Sequence, residues 1–307
     1  MRIGILGLGG IGGFIGAKLV ENYKDNPEIK IVFISRGATK TAILNNGLSL
    51  NSGGETVNIK PNLVSDNSTE IRVLDILIIT TKAYSLTNVI EQYKDCISDE
   101  TVIIPLQNGV NSKDVIVENS DIEATNILEG CIYIASNISE PGVVNHVGGP
   151  GKIVFGNSDD KDFYWVQELL EKGGLTIKYT KSIKEVLWKK FLFVSPLATM
   201  TTALNVTFGE VLDSDELMAT LKSLMIEVQQ LANKFEVTIT NENIEESLAM
   251  LSNFPSNSKS SLQLDFEQKN EKNEKSIFVD YVINNANKYG ISVEYYKTMN
   301  TKISANN

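Results

Sequence analysis

The pattern with the most chemical content is Gly7-x-Gly9-x-x-Gly12, inside the stretch MRIGILGLGGIGGFIGAKLV. Six glycines fall within ten residues there, directly after the apolar run Arg2–Leu6. Glycine costs about 0.5–1 kcal/mol per position in chain entropy, so bare backbone must be required at that place. Between a strand and a helix the three glycines have separate tasks. The first makes a tight turn, the second lets a pyrophosphate reach the backbone, and the third lets helix and strand pack closely. The helix N-terminus then offers unpaired N–H groups and positive dipole to phosphates. Gly7, Leu8, Gly9, Gly10, Ile11 and Gly12 are therefore candidate dinucleotide contacts; the alternative is a glycine-rich turn without a ligand.

Three further residues follow apolar runs at the ends of expected strands. The second run, IKIVFISRG, ends in Ser35-Arg36. An acid at that position would bond the ribose 2′-hydroxyl of NAD. Arg36 instead suits a 2′-phosphate, through a bidentate fork, and this predicts NADP(H). A solvated surface arginine is the plainer alternative. ILIITTKAYS delivers Lys82 and VIIPLQNGV delivers Asn108, both where the crevice of an open α/β sheet lies. Lys82 could equally be solvated, and Asn108 could form an Asx turn with Gly109.

These residues need a scaffold, and the hydrophobic pattern supplies one. Over the first ~180 residues, apolar runs at 2–6, 29–34, 76–80, 101–105 and 126–135 alternate with amphipathic stretches such as 14–22 and 39–46. Alternation of this kind argues for βαβ units and a parallel sheet. GVVNHVGGPGKIVFGN reads as a hairpin around its Gly-Pro-Gly. Past Ser182 the texture becomes helical. Ser182 with Glu185 marks one helix start, residues 212–235 form a second long helix, and residues 276–289 a third, stopped by Gly290. The polar stretch 253–275 reads as a loop or a frayed helix. The expected fold is α/β: a Rossmann-type doubly wound domain over residues 1–180, followed by an all-helical domain over 181–307.

Bulk composition narrows the function class. The 307 residues are 42% hydrophobic and 21% charged, with a formal net charge of −10. An acidic surface disfavours nucleic acid and anionic membranes as partners. Cys96, Cys131 and the single histidine, His146, do not compose a zinc site, so no metal is expected. No run reaches the ~20 apolar residues of a membrane span, and no secretory leader pattern opens the chain; a cytoplasmic location is the expectation.

Taken in order, MRIGILGLGGIGG, ISRG, TTKAYS, PLQNGV, EPGVVNHVGG, VLWKKF and SSLQLD resemble the ketopantoate reductase family. The resemblance implies NADPH-dependent reduction of a 2-oxo acid to a 2-hydroxy acid, in the family's case ketopantoate to pantoate. Its W-x-K pattern falls on Trp188 and Lys190 and implies that Lys190 is the general acid. A ketone receiving hydride develops negative charge on oxygen, which a nearby ammonium stabilises and then protonates. The resemblance further implies that Asn108 meets nicotinamide and substrate, that Lys82 lies near the cofactor, that Ala135 lines it by backbone, and that Ser261 bonds the substrate carboxylate. It allows a homodimer through the helical domain. The sequence departs from the family at Val194, Ala198, Phe208 and Phe278, where members carry asparagines and a glutamate. Glu274, one helical turn before Phe278, is the candidate replacement for that glutamate.

Overall fold

The structure is a computed structural model, and it describes residues 1–305. The chain forms two compact units, one of residues 1–107 and 111–183, the other of residues 108–110 together with the chain from Lys184 onward. The first unit contains ten strands: β1 (Arg2–Leu6), β2 (Lys30–Ile34), β3 (Leu48–Ser52), β4 (Glu55–Ile59), β5 (Leu63–Ser65), β6 (Ile76–Ile79), β7 (Val102–Pro105), β8 (Glu129–Glu140), β9 (Val143–Gly156) and β10 (Thr176–Thr180). Five of them make a parallel sheet in the order β5-β2-β1-β6-β7. Its strands are apolar on both faces because both faces are covered. Ile3, Ile5, Ile76, Ile78 and Ile104 enter one core, while Leu77, Ile79 and Ile103 enter the other.

A second sheet, absent from the sequence expectation, completes this unit. Its order is β10-β9-β3-β4, with β8 antiparallel on β9. Helix α1 (Gly10–Tyr23) packs against strands of both sheets, which is why it is apolar nearly all round. β3 and β4 turn through Gly53-Gly54, both at positive φ, the backbone of a type I′ hairpin. The expected hairpin at Gly-Pro-Gly is corrected: Val143–Gly156 is a single strand. The real turn lies at Pro141-Gly142, where Glu140 pairs with Val143. Tyr133 pairs with Lys152 and Ala135 with Gly148, so Gly149, Pro150 and Gly151 oppose one residue of β8. They form a bulge, with φ of 76° and 64° at the two glycines. Proline is tolerated there because the ladder is already interrupted.

The second unit is helical among its described residues. Its long helix runs Ile183–Leu204, starting directly after Ser182. The expected helix at 212–235 is divided: Phe208–Leu212 ends first, and Asp215–Lys234 begins after the Ser214 cap. The expected loop at 253–275 contains a short helix, Ser261–Glu267. The stretch 276–289 begins as a π-helical turn, Ser276–Asp280, and continues as α-helix until Gly290 enters the left-handed region. Ser195 Oγ donates to the Phe278 carbonyl of that turn at 2.7 Å and lies 2.6 Å from the Tyr296 hydroxyl. Wider turns of this kind persist where another group takes up the displaced backbone partner.

The last helix, Glu294–Ala305, is held at its start by a carboxylate from elsewhere in the chain. Glu227, buried on Asp215–Lys234, accepts the N–H groups of Tyr295 at 2.8 Å and Tyr296 at 3.0 Å. Burial pushes its pKa above the usual carboxylate value, against the lowering effect of those two bonds. A carboxyl with a raised folded pKa binds its proton more tightly when folded. Its contribution is complete below the unfolded pKa and declines as pH rises through the folded one. The stability of wild type relative to Glu227→Gln in urea unfolding should therefore fall as pH rises from the ordinary carboxylate range. Parallel profiles would contradict the assignment. Glu227→Ala, which orphans both N–H groups, should cost at least about 2 kcal/mol.

Candidate active site

At the carboxyl end of β1 the three glycines occupy three different environments. Gly7 has φ +95°, a conformation side chains resist, and its turn is fixed from both sides. Its N–H donates to Ile34 O at 3.1 Å, and its carbonyl accepts from Thr80 Oγ1 at 2.6 Å. A Cβ on Gly12 would lie 1.9 Å from the Gly7 oxygen, so that contact is possible only for glycine. A Cβ on Gly9 would meet nothing within 4 Å. Gly9 is the N-cap of α1 and has no side chain to bond the first turn, which also carries no acidic residue. Leu8 is buried beneath this turn, Gly10 opens α1 against the Ser136 carbonyl, and Ile11 is half-buried. The result is a helix N-terminus with no side-chain cap and open space at Gly9, a cradle that fits the pyrophosphate of a dinucleotide.

Arg36 is exposed at the carboxyl end of β2, as the N-cap of helix α2 (Gly37–Asn46). Asp66 follows the neighbouring β5. Its carboxyl is held below the usual range first by a hydrogen bond from Lys40 at 2.7 Å, with the Arg36 charge adding to the effect. Lys40 thus occupies the acid that stands near the arginine. Lys82 is exposed at the start of a short turn after β6, and its carbonyl accepts the N–H and hydroxyl of Ser85. Ala135 is exposed on β8 opposite Gly148.

In the second unit the helix Ile183–Leu204 resolves which of two adjacent lysines has a polar partner. Lys189 is exposed; Lys190 is half-buried, and its Nζ donates to Asn108 Oδ1 at 3.3 Å. Residues 108–110 cluster with this unit, and Val110 packs against its core. A residue that follows β7 in sequence therefore stands beside a lysine 82 positions later. The contact orients the Asn108 amide, with its oxygen toward the ammonium. Two hydrogen-bond donors of this kind, one charged, suit a carbonyl oxygen that gains negative charge.

Comparison with known proteins finds two family domains in succession along the chain. The model for "Ketopantoate reductase PanE/ApbA" matches residues 3–160, and that for its C-terminal domain matches residues 182–306. The chain belongs to the ketopantoate reductase family. Relatives of this oxidoreductase include the uncharacterized oxidoreductase YkpB of Bacillus subtilis (strain 168), 29% identical over 270 residues, covering 87% of this chain and 86% of that one. A 2-dehydropantoate 2-reductase of Mesorhizobium japonicum is 25% identical over 261 residues, covering 77% of each. In fold, the chain superposes on a D-mandelate dehydrogenase, solved with NADH and anilino(oxo)acetate, at a TM-score of 0.87 and 20% identity, covering 100% and 98% of the two chains.

The four positions where the resemblance leads to an expectation of polar residues are taken up largely by packing. Ala198, Phe208 and Phe278 belong to the buried core of the helical unit, whereas Val194 is half-buried. Phe208 meets Phe254 edge-on, and Phe254 stacks on Phe193. Glu274 is 3% exposed, and the Phe278 N–H donates to its carbonyl at 3.1 Å, so the two residues are one helical turn apart. Ser261 is exposed at the start of its helix. The preceding Ser260 is buried, caps that helix through Gln263 N and lies 2.9 Å from Thr201 Oγ1. Sequence reading passed over Ser260 and Thr80, since neither differs in type from ordinary loop residues. His146 sits within β9, its Nδ1 2.9 Å from Ser52 Oγ and its Nε2 2.9 Å from Gly149 O, with its ring edge-on to Phe14. Among the described residues no group of three or more His, Cys, Asp or Glu could hold a metal ion, and no helix is long and apolar enough to cross a membrane.

The glycines give a paired test. Gly9→Ala has room for its methyl group, so stability should change by less than about 0.5 kcal/mol, while dinucleotide affinity falls at least about tenfold. Gly12→Ala forces backbone apart and should cost about 1–3 kcal/mol in urea unfolding. A Gly9→Ala protein with unchanged NADPH and NADH dissociation constants would remove the cradle from the site.

Proposed function

We propose that this protein reduces a small 2-oxo acid to the 2-hydroxy acid with NADPH, ketopantoate to pantoate being the leading reaction. The observation that carries this reading is the 3.3 Å contact between half-buried Lys190 and Asn108. Residues 1–180 are proposed as the NADP(H)-binding domain and residues 181–307 as the helical substrate and dimerisation domain; the last two positions lie outside the described residues. Gly7 to Gly12 hold the pyrophosphate, Arg36 the 2′-phosphate, and Lys82, Asn108 and Ala135 the remainder of the cofactor. When bound, reduced nicotinamide supplies the hydride. Lys190 and Asn108 donate to the carbonyl oxygen, and Ser261 bonds the carboxylate. As the carbonyl carbon gains hydride, the C=O π pair moves to oxygen and takes a proton from Lys190 Nζ. The product is the alcohol, and the neutral amine regains its proton from water.

A second reading, a 2-oxo acid without hydroxyl groups, is favoured by one observation. Ala198, Phe208 and Phe278 are core residues and offer no side-chain bond to substrate hydroxyls. In the first reading, buried Glu274 supplies the missing carboxylate. Polar sites discriminate strongly against substrates that leave their groups unpaired. The measurement is kcat/KM for ketopantoate and 2-oxoisovalerate, in wild type and Glu274→Gln. Turnover of ketopantoate that drops in Glu274→Gln supports the first reading, and preference for 2-oxoisovalerate supports the second. Strong ketopantoate preference untouched by Glu274→Gln defeats both accounts of the pocket.

Lys190→Ala should lower kcat by roughly 10²-fold or more with NADPH affinity retained, and Lys189→Ala should be nearly silent. An essential Lys189 with a dispensable Lys190 would overturn the assignment of the acid. Arg36→Ala should remove a preference for NADPH over NADH of at least about tenfold, the scale of a charge-assisted contact. Equal wild-type affinities for the two cofactors would refute the role of Arg36.

A further inference from the structure

The parallel sheet carries a basic cavity toward the amino ends of its strands, away from the glycine turn. It measures about 380 Å³. Buried Val32 and half-buried Leu63, partners on β2 and β5, supply its apolar wall. Arg2 and Lys30, both half-buried, are partners in the same way on β1 and β2. Partners in a parallel ladder point to one face, and so do residues two apart on a strand. Both cations therefore project on the side of Val32. Exposed Arg72, directly after the short helix Ser68–Ile71, is the third cation of the lining. The chain has 38 acids against 28 lysines and arginines. Even so, among the described residues none of these three cations forms an ion pair. The one carboxylate of the lining, Glu70, already accepts the Ser65 hydroxyl at 2.5 Å. Asp75 accepts the Arg2 backbone N–H at 2.6 Å from the β6 side of β1 and does not line the cavity.

Two of the cations are held in unfavourable states. Arg72 has φ 61° and ψ 179°, a region open essentially to glycine alone and one that marks ligand sites when other residues adopt it. Arg2 donates from a terminal guanidinium nitrogen to the Ile71 carbonyl at 2.5 Å, while its Nε is buried with no hydrogen-bond partner among the described residues. Both arginines are thus tied to one stretch of backbone. Asn62 Oδ1 accepts the Ile31 N–H at 2.8 Å, which directs its NH₂ away as a fourth donor. Like charges gathered without partners repel, and a bound anion removes that repulsion. Three cations against one carboxylate leave two positive charges. A phosphate monoester carries close to two negative charges near neutral pH and three terminal oxygens, which arginine forks match. A carboxylate offers one charge and two oxygens. The apolar wall of Val32 and Leu63 suits an organic group attached to the phosphate. We infer that this cavity is a second ligand site, for the phosphate monoester of a small organic molecule. Arg2, Lys30, Arg72 and Asn62 hold the phosphate, and Val32 and Leu63 the organic part. About 13 Å separates the two ends of β1 at ordinary strand rise, so the site is distinct from the glycine cradle and independent of the dinucleotide reading.

The probe is phenyl phosphate, titrated by calorimetry beside inorganic phosphate and benzoate, with and without excess NADPH. Phenyl phosphate should occupy one site per chain that excess NADPH leaves within twofold in Kd. Inorganic phosphate and benzoate should each bind there at least about tenfold more weakly, the first for want of the apolar part and the second for want of charge. Lys30→Gln and Arg72→Gly should each weaken phenyl phosphate at least about tenfold, and Gly9→Ala should leave it unchanged. Glycine adopts the Arg72 backbone freely, so that variant keeps the turn, and Lys30→Gln gives the same comparison on a regular strand. The absence of saturable phenyl phosphate binding in wild type overturns the inference, as does equal affinity in wild type and both variants. Benzoate or inorganic phosphate binding as tightly as phenyl phosphate overturns the assigned ligand class. Displacement by NADPH puts the probe in the dinucleotide cradle and overturns the inference while the dinucleotide reading stands. Phenyl phosphate binding that Lys30→Gln and Arg72→Gly weaken, in a protein that binds no NADPH, does the reverse.

Discussion

The first unit depends on a separation that leaves no room for a methyl group. The Gly7 carbonyl and Gly12 approach so closely that a Cβ on Gly12 would lie 1.9 Å from the oxygen. This contact sets the angle at which α1 leaves β1. Because α1 packs against strands of both sheets, the same contact influences how the second sheet covers the first. Thr80 adds a lateral tie by donating to the Gly7 oxygen, and that tie joins the ends of β1 and β6. The cradle is a consequence of the scaffold's packing as much as of its loop sequence.

The helical unit solves a different problem, which is how to fix polar groups in an apolar interior. It does so by exchanging backbone partners between distant helices. Ser195 donates to the carbonyl of Phe278, and Glu227 accepts the first N–H groups of the last helix. Thr201 and Ser260 approach within 2.9 Å, and Gln263 reaches Asn205. These contacts tie Ile183–Leu204, Asp215–Lys234, Ser261–Glu267 and the last two helical segments into one body. The helix that carries Lys190 is consequently braced along its length. A braced helix holds an ammonium at a defined distance from Asn108, and positioned donors are worth more than mobile ones.

Family-level similarity and local chemistry carry unequal weight here. The family models span nearly the whole chain, and the two-unit architecture fits them. Ala198, Phe208 and Phe278, where the resemblance leads to an expectation of polar residues, lie in an apolar core with an aromatic cluster at Phe193, Phe208 and Phe254. Family membership thus accounts for the scaffold, whereas the side chains at these three positions are this chain's own.

By itself the sequence determined the elements whose side chains obey one period. The strands of the parallel sheet are apolar on both faces, so Arg2–Leu6 and Ile76–Ile79 are legible as buried strands wherever they fall. The glycine turn is legible because no other residue type tolerates its backbone. Four strands carry little sequence signal: β3, β4, β5 and β10 are short or polar, and the pairing that anchors β3, β5 and β10 comes from partners remote in sequence. Gly-Pro-Gly suggests a turn from local chemistry, yet the pairing of β8 with β9 makes it a bulge, since a ladder on both sides outweighs a local preference. Lys190 was distinguishable from Lys189 only through resemblance; in the fold, burial and Asn108 distinguish them. That distinction requires tertiary structure, because the two residues in contact lie 82 positions apart.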